Sequence, residues 1–197
     1  MRRTKVALAG AGLVAAGMIA AGCGSSADED STASKPAPAS GAATADESKP
    51  GRKIPDALAA NRAQANQILD EGQLEPKLEE LRGHPVVVNQ WASWCPPCRA
   101  EFPYFQESAE AHADEVAFLG IDMQDERGAA EAFLRELPVP YPTIDDPNAA
   151  QIGSLGGGVV SPTTVFIDEK GEIVSVFQGV YTSQEQLEVD IERNLLS

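Results

Sequence analysis

Two cysteines with two prolines between them are the residues of this 197-residue chain best suited to chemistry. Residues 85–91 before the two cysteines are a β-branched run that predicts a buried strand. Residues 96–112 predict a helix, which begins directly after Cys95 and contains Cys98 in its first turn. Cys95 is then expected at the helix N-terminus, where backbone N–H groups and the helix dipole favour an anion. Because the thiolate is the nucleophilic form of cysteine, the pattern predicts a redox pair in which Cys95 attacks.

The residues around Cys95 fit the same interpretation. Pro96 and Pro97 lack backbone N–H groups, which the first turn of a helix leaves unpaired, and they stiffen the ring that a disulfide would close. Cys98 lies one turn further in and suits the resolving role. A purely structural disulfide over so short a loop would add little stability. A zinc site needs about four ligands, and His84 and His112 offer no paired spacing, so no metal is expected.

Glu101 is the third candidate for chemistry. It lies three residues after Cys98 and shares a helix face with that thiol. Neighbouring Phe102 and Phe105 are expected to exclude water from its carboxyl group and raise the pKa. A carboxylate there can take the Cys98 proton as that sulfur attacks a mixed disulfide, and an ordinary surface glutamate is the alternative.

The loop before residues 163–167 contains glycines and the pair Ser161-Pro162. A proline that follows a Gly-rich loop and precedes a strand occupies a position where a cis peptide bond could form. An ordinary turn proline is the alternative.

The first 22 residues have the composition of a secretory signal. Three basic residues precede an uncharged apolar run at 6–21, which is short for a membrane-spanning helix. Small residues directly before Cys23 resemble a bacterial lipobox, in which Cys23 would become the lipidated first residue. A plain signal peptide and an uncleaved anchor are the alternatives. Lipidation would leave only two of the three cysteines for redox work.

Residues 23–50 contain no aromatic residue and no Leu, Ile or Val, so they predict a disordered tether. With lipid on Cys23, the expected location is outside the cytosol, anchored to the outer face of the bacterial cytoplasmic membrane. Disulfides persist in such a compartment.

Composition and charge restrict the class of partner. The chain is 43% hydrophobic and 23% charged, an ordinary globular mixture, and its formal net charge is −15 at pH 7. An acidic chain repels phosphate backbones, so no nucleic-acid partner is expected. The acids are scattered, and we interpret them as solvated faces.

Residues 51–197 are expected to form one domain. Their patterns predict helices at 56–70, 74–81, 96–112 and 127–137 and one capped by Ser183, and strands at 85–91, 116–121, 163–167 and 173–177. The last two strands flank a turn containing glycine, which is typical of a hairpin. This alternation predicts an α/β fold with helices on both faces of the sheet.

The segment VVVNQWASWCPPCRAEFP (86–103) strongly resembles the active-site segment of TlpA/ResA-like members of the thioredoxin superfamily. The segments LRGHPVVV (81–88) and SPTTVFIDEKGEI (161–173) follow the same family order, and the resemblance covers about residues 80–195. It implies a thioredoxin-like fold, with a central mixed β-sheet and a C-terminal hairpin plus helix. It also implies extracytoplasmic thiol–disulfide exchange, often in cytochrome c maturation, with no metal or organic cofactor.

The family's functional residues can be carried over one by one. Cys95 matches the attacking cysteine, Cys98 the resolving one, and Glu101 the acidic residue that ResA-like members keep after the second cysteine. Pro162 matches the cis-proline that lies against the disulfide, and Ser161 the residue whose backbone pairs with substrate.

Trp94, with Trp91, matches the aromatic flank of the motif, and Trp94, Pro96 and Pro97 are expected to contact substrate. Two departures change the expectations. Asn89 stands six residues before Cys95, where many thioredoxins bury an Asp that shuttles a proton, so more of that work would fall on Glu101. The residues before the LRG segment are predicted to be mostly helical, where relatives open with a β-hairpin.

The resulting hypothesis is a membrane-tethered oxidoreductase for protein thiols and disulfides, in the reductase direction, with apocytochrome c as one possible client and a membrane thiol donor or acceptor as partner. An oxidase that forms disulfides in exported proteins is the first alternative. A peroxide-reducing redoxin is disfavoured by Ala92, which stands where a Thr would be expected. A partner-binding lipoprotein with a structural disulfide is the remaining alternative.

Overall fold

A computed structural model describes residues 53–197 of the chain. The predicted signal at 1–22, the predicted tether at 23–50 and the predicted lipidation site Cys23 all lie outside the described residues. Within the described part, no helix combines the length and hydropathy that crossing a bilayer requires.

Twelve elements follow one another with short connections. In chain order they are α1 (Asp56–Arg62), β1 (Ile68–Leu69), α2 (Leu74–Glu80), β2 (Val86–Trp91), α3 (Pro96–Ala111), β3 (Ala117–Met123), α4 (Arg127–Glu136), β4 (Thr143–Asp146), α5 (Ala150–Ser154), β5 (Thr163–Ile167), β6 (Ile173–Gln178) and α6 (Gln184–Leu195). The predicted hairpin is β5–β6, and the Ser183 side chain accepts a hydrogen bond from Gln186 N, so Ser183 caps α6 as expected.

The helix predicted over 56–70 is wrong in its second half. α1 ends at Arg62, Asn66 adopts a left-handed conformation with φ of 59°, and the chain then extends as β1. Tertiary hydrogen bonds hold this ending, because Gln67 O accepts from Thr143 N and Asn66 Oδ1 accepts from Val139 N. The described residues before the LRG segment therefore contain two helices and a short strand, with no hairpin among them.

The six strands form one mixed sheet in the order β1-β4-β3-β2-β5-β6. Neighbours from β1 to β2 run parallel, whereas β5 runs antiparallel to both β2 and β6. The fold is thioredoxin-like and α/β, as the sequence predicted. Because Gln90 of β2 lies opposite Thr163 of β5, the end of β2 and the start of β5 meet at one edge of the sheet. The carboxyl ends of β3 and β4 reach the same edge, where ligands typically bind in open α/β sheets.

Two hydrophobic clusters cover the two faces of the sheet. One contains apolar residues of α3, α4 and α6 packed on Val87 and Trp91, and the other contains residues of α1, α2 and α5 packed on Val86 and Val88. β2 is buried at every position because both faces of the sheet are covered. Successive side chains of a strand point to opposite faces, so consecutive residues of β2 face opposite clusters. The strand therefore presents Asn89 to the α3 face and Gln90 to the other.

Candidate active site

The first turn of α3 contains the two cysteines. Cys95 is the N-cap residue, Pro96 and Pro97 form the first two helical positions, and Cys98 N donates to Cys95 Sγ at 3.3 Å. The cysteines are joined by a disulfide, with their Cα atoms 5.3 Å apart. The Cys95 sulfur therefore lies where unpaired N–H groups and the helix dipole favour a thiolate once the disulfide is reduced.

The disulfide is shielded unequally. Cys95 is 3% exposed and Cys98 is fully buried, while Trp94, Pro96 and Pro97 around Cys95 are exposed. Cys95 thus lies just beneath an exposed surface formed by its neighbours, and Cys98 lies behind it. This arrangement gives an incoming group better access to the first sulfur than to the second.

Glu101 is completely buried one turn after Cys98. Burial raises the pKa of its carboxyl group to about 7, although hydrogen bonds from Tyr181 and Asn89 act in the opposite direction. Asn89 Nδ2 donates to Glu101 Oε1 and Tyr181 N donates to Oε2, each at 3.0 Å. Both oxygens are therefore fixed, and the group exchanges its proton near neutral pH.

Aromatic side chains pack together in the hydrophobic cluster on the α3 face of the sheet. The ring centroids of Trp91, Phe102 and Phe133 lie 4.7 to 5.2 Å apart, in edge-to-face and stacked pairs. Phe105 packs edge-to-face on Tyr181, whose backbone holds Glu101. Phe102 and Phe105 are buried on the same helix as Glu101, and their role in excluding water from its carboxyl group stays a prediction. Trp91 is fully buried in the core.

The two residues before Cys95 are held by the turn that follows β3. Ser93 N and Ser93 Oγ both donate to the Asp125 carboxylate, the latter at 2.9 Å. Trp94 Nε1 donates to Gln124 O at 3.0 Å, and its ring remains 55% exposed. Hydrogen bonds to the turn after β3 therefore hold the residues that lead into the cysteines.

The loop before β5 reaches the same edge of the sheet. The bond between Ser161 and Pro162 is a cis peptide, and Ser161 Oγ accepts a hydrogen bond from Gln90 Nε2 at 3.1 Å. Sequence reasoning did not identify Gln90 or Tyr181. Gln90 lies in a buried strand among apolar residues, and Tyr181 acts through its backbone, which no side-chain pattern indicates.

The interpretation of the acidic residues as solvated was wrong for several of them. Asp122 is buried at the end of β3, and burial, followed by the nearby carboxylates of Asp125 and Asp145, raises its pKa to about 8. Asp146 is also buried and accepts from Gln151 N and Ile152 N at the start of α5. Asp146 thereby orders the start of α5.

No group of three or more His, Cys, Asp or Glu side chains within residues 53–197 is arranged to hold a metal ion.

Comparison with known proteins places this geometry in a family. The family model described as Redoxin matches residues 49–191. The thiol-disulfide oxidoreductase ResA of Oceanobacillus iheyensis is 34% identical over 126 residues, which are 63% of this chain and 65% of that protein. The thiol:disulfide interchange protein DsbE of Pseudomonas fluorescens is 38% identical over 101 residues, which are 51% of this chain and 55% of that protein. The chain thus spans less than two thirds of the length of both relatives.

A solved structure agrees with these relatives. DsbF from Mycobacterium tuberculosis (MTB), in mixed oxidised and reduced forms, superposes with a TM-score of 0.54 at 29% identity, covering 58% of this chain and 84% of that one. The family match covers most of the chain and includes every described residue of the site. The chain therefore belongs to the redoxin family, and within it resembles the ResA- and DsbE-like members of the thioredoxin superfamily.

Proposed function

We propose that this protein is a thiol–disulfide oxidoreductase that acts on protein clients through Cys95 and Cys98. The observation that carries the proposal is the disulfide at the N-terminus of α3, with one sulfur beneath an exposed surface and a buried Glu101 one turn behind the other. The names of the relatives, which are thiol-disulfide oxidoreductases and interchange proteins, support the same reaction class.

In the reductase direction, the reaction has two exchange steps. The Cys95 thiolate attacks one sulfur of a client disulfide, which forms a mixed disulfide and releases the other client sulfur as a thiolate. Cys98 then loses its proton and attacks the Cys95 sulfur, which closes the Cys95–Cys98 disulfide and releases the second client thiolate. Two electrons pass from the protein to the client, and both client thiolates take protons from solvent.

Glu101 is the proposed base of the second step. Its pKa of about 7 leaves a substantial carboxylate fraction at neutral pH, and its position one turn after Cys98 suits uptake of that proton. Asn89 cannot take a proton, so its proposed role is to orient the carboxyl group through its N–H.

Client binding is assigned to the surface around Cys95. Trp94, Pro96 and Pro97 are exposed beside the sulfur, and the loop with Ser161 and Pro162 lies at the same edge of the sheet. We propose that an extended client segment lies across this surface, with its backbone paired to Ser161.

Insulin reduction tests the central proposal. The reduced wild-type protein is expected to cleave the insulin disulfides, and Cys95→Ser is expected to abolish the activity. Cys98→Ala is expected to accumulate a mixed disulfide on Cys95, because the second step is blocked. Activity retained in Cys95→Ser, or peroxide consumption faster than insulin reduction in the wild type, would overturn the assignment.

The direction of electron flow is proposed to be reductive, as the resemblance to ResA-like proteins supports. The reduction potential of the Cys95–Cys98 pair against glutathione tests this. A value near the thioredoxin level of about −270 mV fits a reductase, whereas a value near about −120 mV would favour the oxidase alternative.

We further propose that lipid on Cys23 anchors the protein to the outer face of the cytoplasmic membrane. We also propose that apocytochrome c is a client. Radiolabelled fatty acid is expected to be incorporated by the wild type and lost in Cys23→Ser. Reduction of a disulfide-bonded peptide carrying a C-x-x-C-H sequence tests the client class. No labelling of the wild type, or no reduction of that peptide by a protein that reduces insulin, would contradict the respective proposal.

A further inference from the structure

Gln90 is a fully buried amide in β2 that takes no part in the proposed exchange steps. The two N–H bonds of its Nε2 are within reach of three acceptors: Ser161 Oγ at 3.1 Å, Gly158 O at 3.3 Å and Met123 Sδ at 2.7 Å. Its Oε1 is buried with no hydrogen-bond partner among residues 53–197. A buried oxygen without a hydrogen-bond partner lowers stability. Any favourable contribution of the amide to the structure therefore comes from the hydrogen bonds of its nitrogen.

Two of the three acceptors belong to one loop. Gly158 and Ser161 lie on either side of Val159 and Val160, which are 72% and 51% exposed. Two further hydrogen bonds hold the loop from within the β5–β6 region, Thr163 Oγ1 to Val160 O and Gly179 N to Pro162 O. Gln90 provides the attachment to the central strand β2.

This attachment joins the loop to the strand that leads into the cysteines. Gln90 lies five residues before Cys95, on the strand whose end meets the start of β5. A side chain that ties Gly158 and Ser161 to β2 fixes the loop relative to the active-site turn. The exposed valines add an apolar surface beside the loop backbone, as an extended polypeptide with apolar side chains would require.

We propose that Gln90 is a positioning residue that holds the Gly158–Pro162 loop for the extended backbone of a protein client, and thereby makes the enzyme discriminate between protein disulfides and small disulfides. The proposal rests on the proposed function and adds a determinant of specificity to it. A small disulfide reaches the Cys95 sulfur without covering the loop, so its reaction does not depend on the tether.

Gln90→Met tests the tether, since methionine keeps the length of the side chain and removes the amide. For insulin, kcat/KM is expected to fall about tenfold, mainly through KM, as for the loss of one or two buried hydrogen bonds. For oxidised glutathione, the rate is expected to stay within about twofold, and so is the equilibrium constant of the Cys95–Cys98 pair with glutathione. Gln106→Met, at an exposed glutamine of α3, is the matched control and should change neither substrate.

Ser161→Ala removes only the acceptor hydroxyl and provides a second test if Gln90→Met does not fold. It is expected to lower kcat/KM for insulin less than Gln90→Met, and the double variant should add little, because both remove the same contact. Equal losses with insulin and glutathione, a changed redox equilibrium, or an unchanged KM for insulin in Ser161→Ala and Gln90→Met would each overturn the proposal.

Hydrogen exchange separates this proposal from the proposed function. In Gln90→Met, or in Ser161→Ala if the former is unfolded, amides of residues 158–161 are expected to exchange faster, with the rest of the sheet unchanged. If the wild type does not reduce insulin, the function fails while exchange still tests the tether. If the wild type reduces insulin and exchange in the loop is unchanged, only the tether is wrong.

Discussion

Asn89 and Gln90 are consecutive buried amides on β2, and the contrast between them separates two tasks. Asn89 faces α3 and donates to the carboxylate of Glu101, a group that changes charge near neutral pH. Gln90 faces the opposite side and donates to Gly158 and Ser161, which do not ionise. In the proposed function, the same kind of side chain supports proton transfer on one face and the client-binding loop on the other.

In this proposal, the two faces of one central strand have separate functions. Alternation along the strand places the two amides on opposite faces, Asn89 on the face of Val87 and Trp91 and Gln90 on the face of Val86 and Val88. Substitutions on the Asn89 face should therefore change pH dependence, and substitutions on the Gln90 face should change client discrimination. If substitutions on the Asn89 face changed client discrimination and those on the Gln90 face changed pH dependence, the assignment of the two faces would be wrong.

The largest effect is expected from Glu101→Gln on catalysis. The wild-type rate of insulin reduction should rise with pH through about 7 as the carboxyl group ionises. The variant should lose about a hundredfold at pH 7 and lose that rise, because it has no base for Cys98. Rates measured from pH 5.5 to 9 check this, with Gln90→Met as the matched variant that keeps the rise. An unchanged profile in Glu101→Gln would remove Glu101 from the mechanism.

A smaller effect is expected from Asn89→Asp. A second carboxyl group beside Glu101 disfavours ionisation of both, so the rise in rate should move to higher pH by about one unit or more. Gln90→Glu places a carboxyl group on the other face and should leave that rise in position while weakening insulin binding. The same pH series distinguishes the two, and a shift in Gln90→Glu alone would contradict the assignment of the faces.

Glu101 should also make the fold weaker at high pH. Its folded pKa of about 7 lies above the ordinary value of 4.5, so the stability present below pH 4.5 is lost as pH rises through about 7. Glu101→Gln removes this loss and should raise the free energy of unfolding at pH 8 by about 1–3 kcal/mol, with less gain at pH 4.5. Urea unfolding of the reduced proteins measures it. An equal gain at both pH values would mean that ionisation is not the cause.

The smallest effect is expected at His112, where α3 ends. Its Nε2 lies 2.6 Å from Glu188 and its Nδ1 lies 3.0 Å from Glu115, and these contacts raise its pKa above 6.5 although burial opposes this. The stability it adds is present below pH 6.5 and lost as pH rises through the folded pKa. His112→Gln should cost about 1 kcal/mol at pH 6 and less at pH 9. Insulin reduction should be unchanged, and a large loss of activity would show that the two regions are coupled.

Sequence patterns anticipated the parts of the fold that depend on local periodicity. The strand, turn and helix around Cys95 and the final hairpin were all predicted, because each is long or carries a specific turn residue. β1 and β4 were not predicted, since they have two and four residues and are defined by pairing with each other and with β3.

The sequence predicted the site residues that are recognisable by their type and spacing. The cysteines and Glu101 stand out by type and spacing, whereas Asp125 and Tyr181 act on the site through contacts 32 and 80 residues away in the chain. Gln90 is hidden for another reason: a single amide in a buried strand has no local signal, and its partners become visible only when β5 is placed beside β2.

Selective alkylation of the reduced protein tests the proposal that Cys95 is the reactive sulfur and Cys98 the protected one. Iodoacetamide added across pH 5 to 9, with the modified peptide identified by mass spectrometry, measures the thiolate fraction of each cysteine. We expect Cys95 to be modified well below the ordinary thiol pKa of about 8.5 and Cys98 to be spared. Equal modification of both sulfurs, or a Cys95 that reacts only above that pKa, would contradict it.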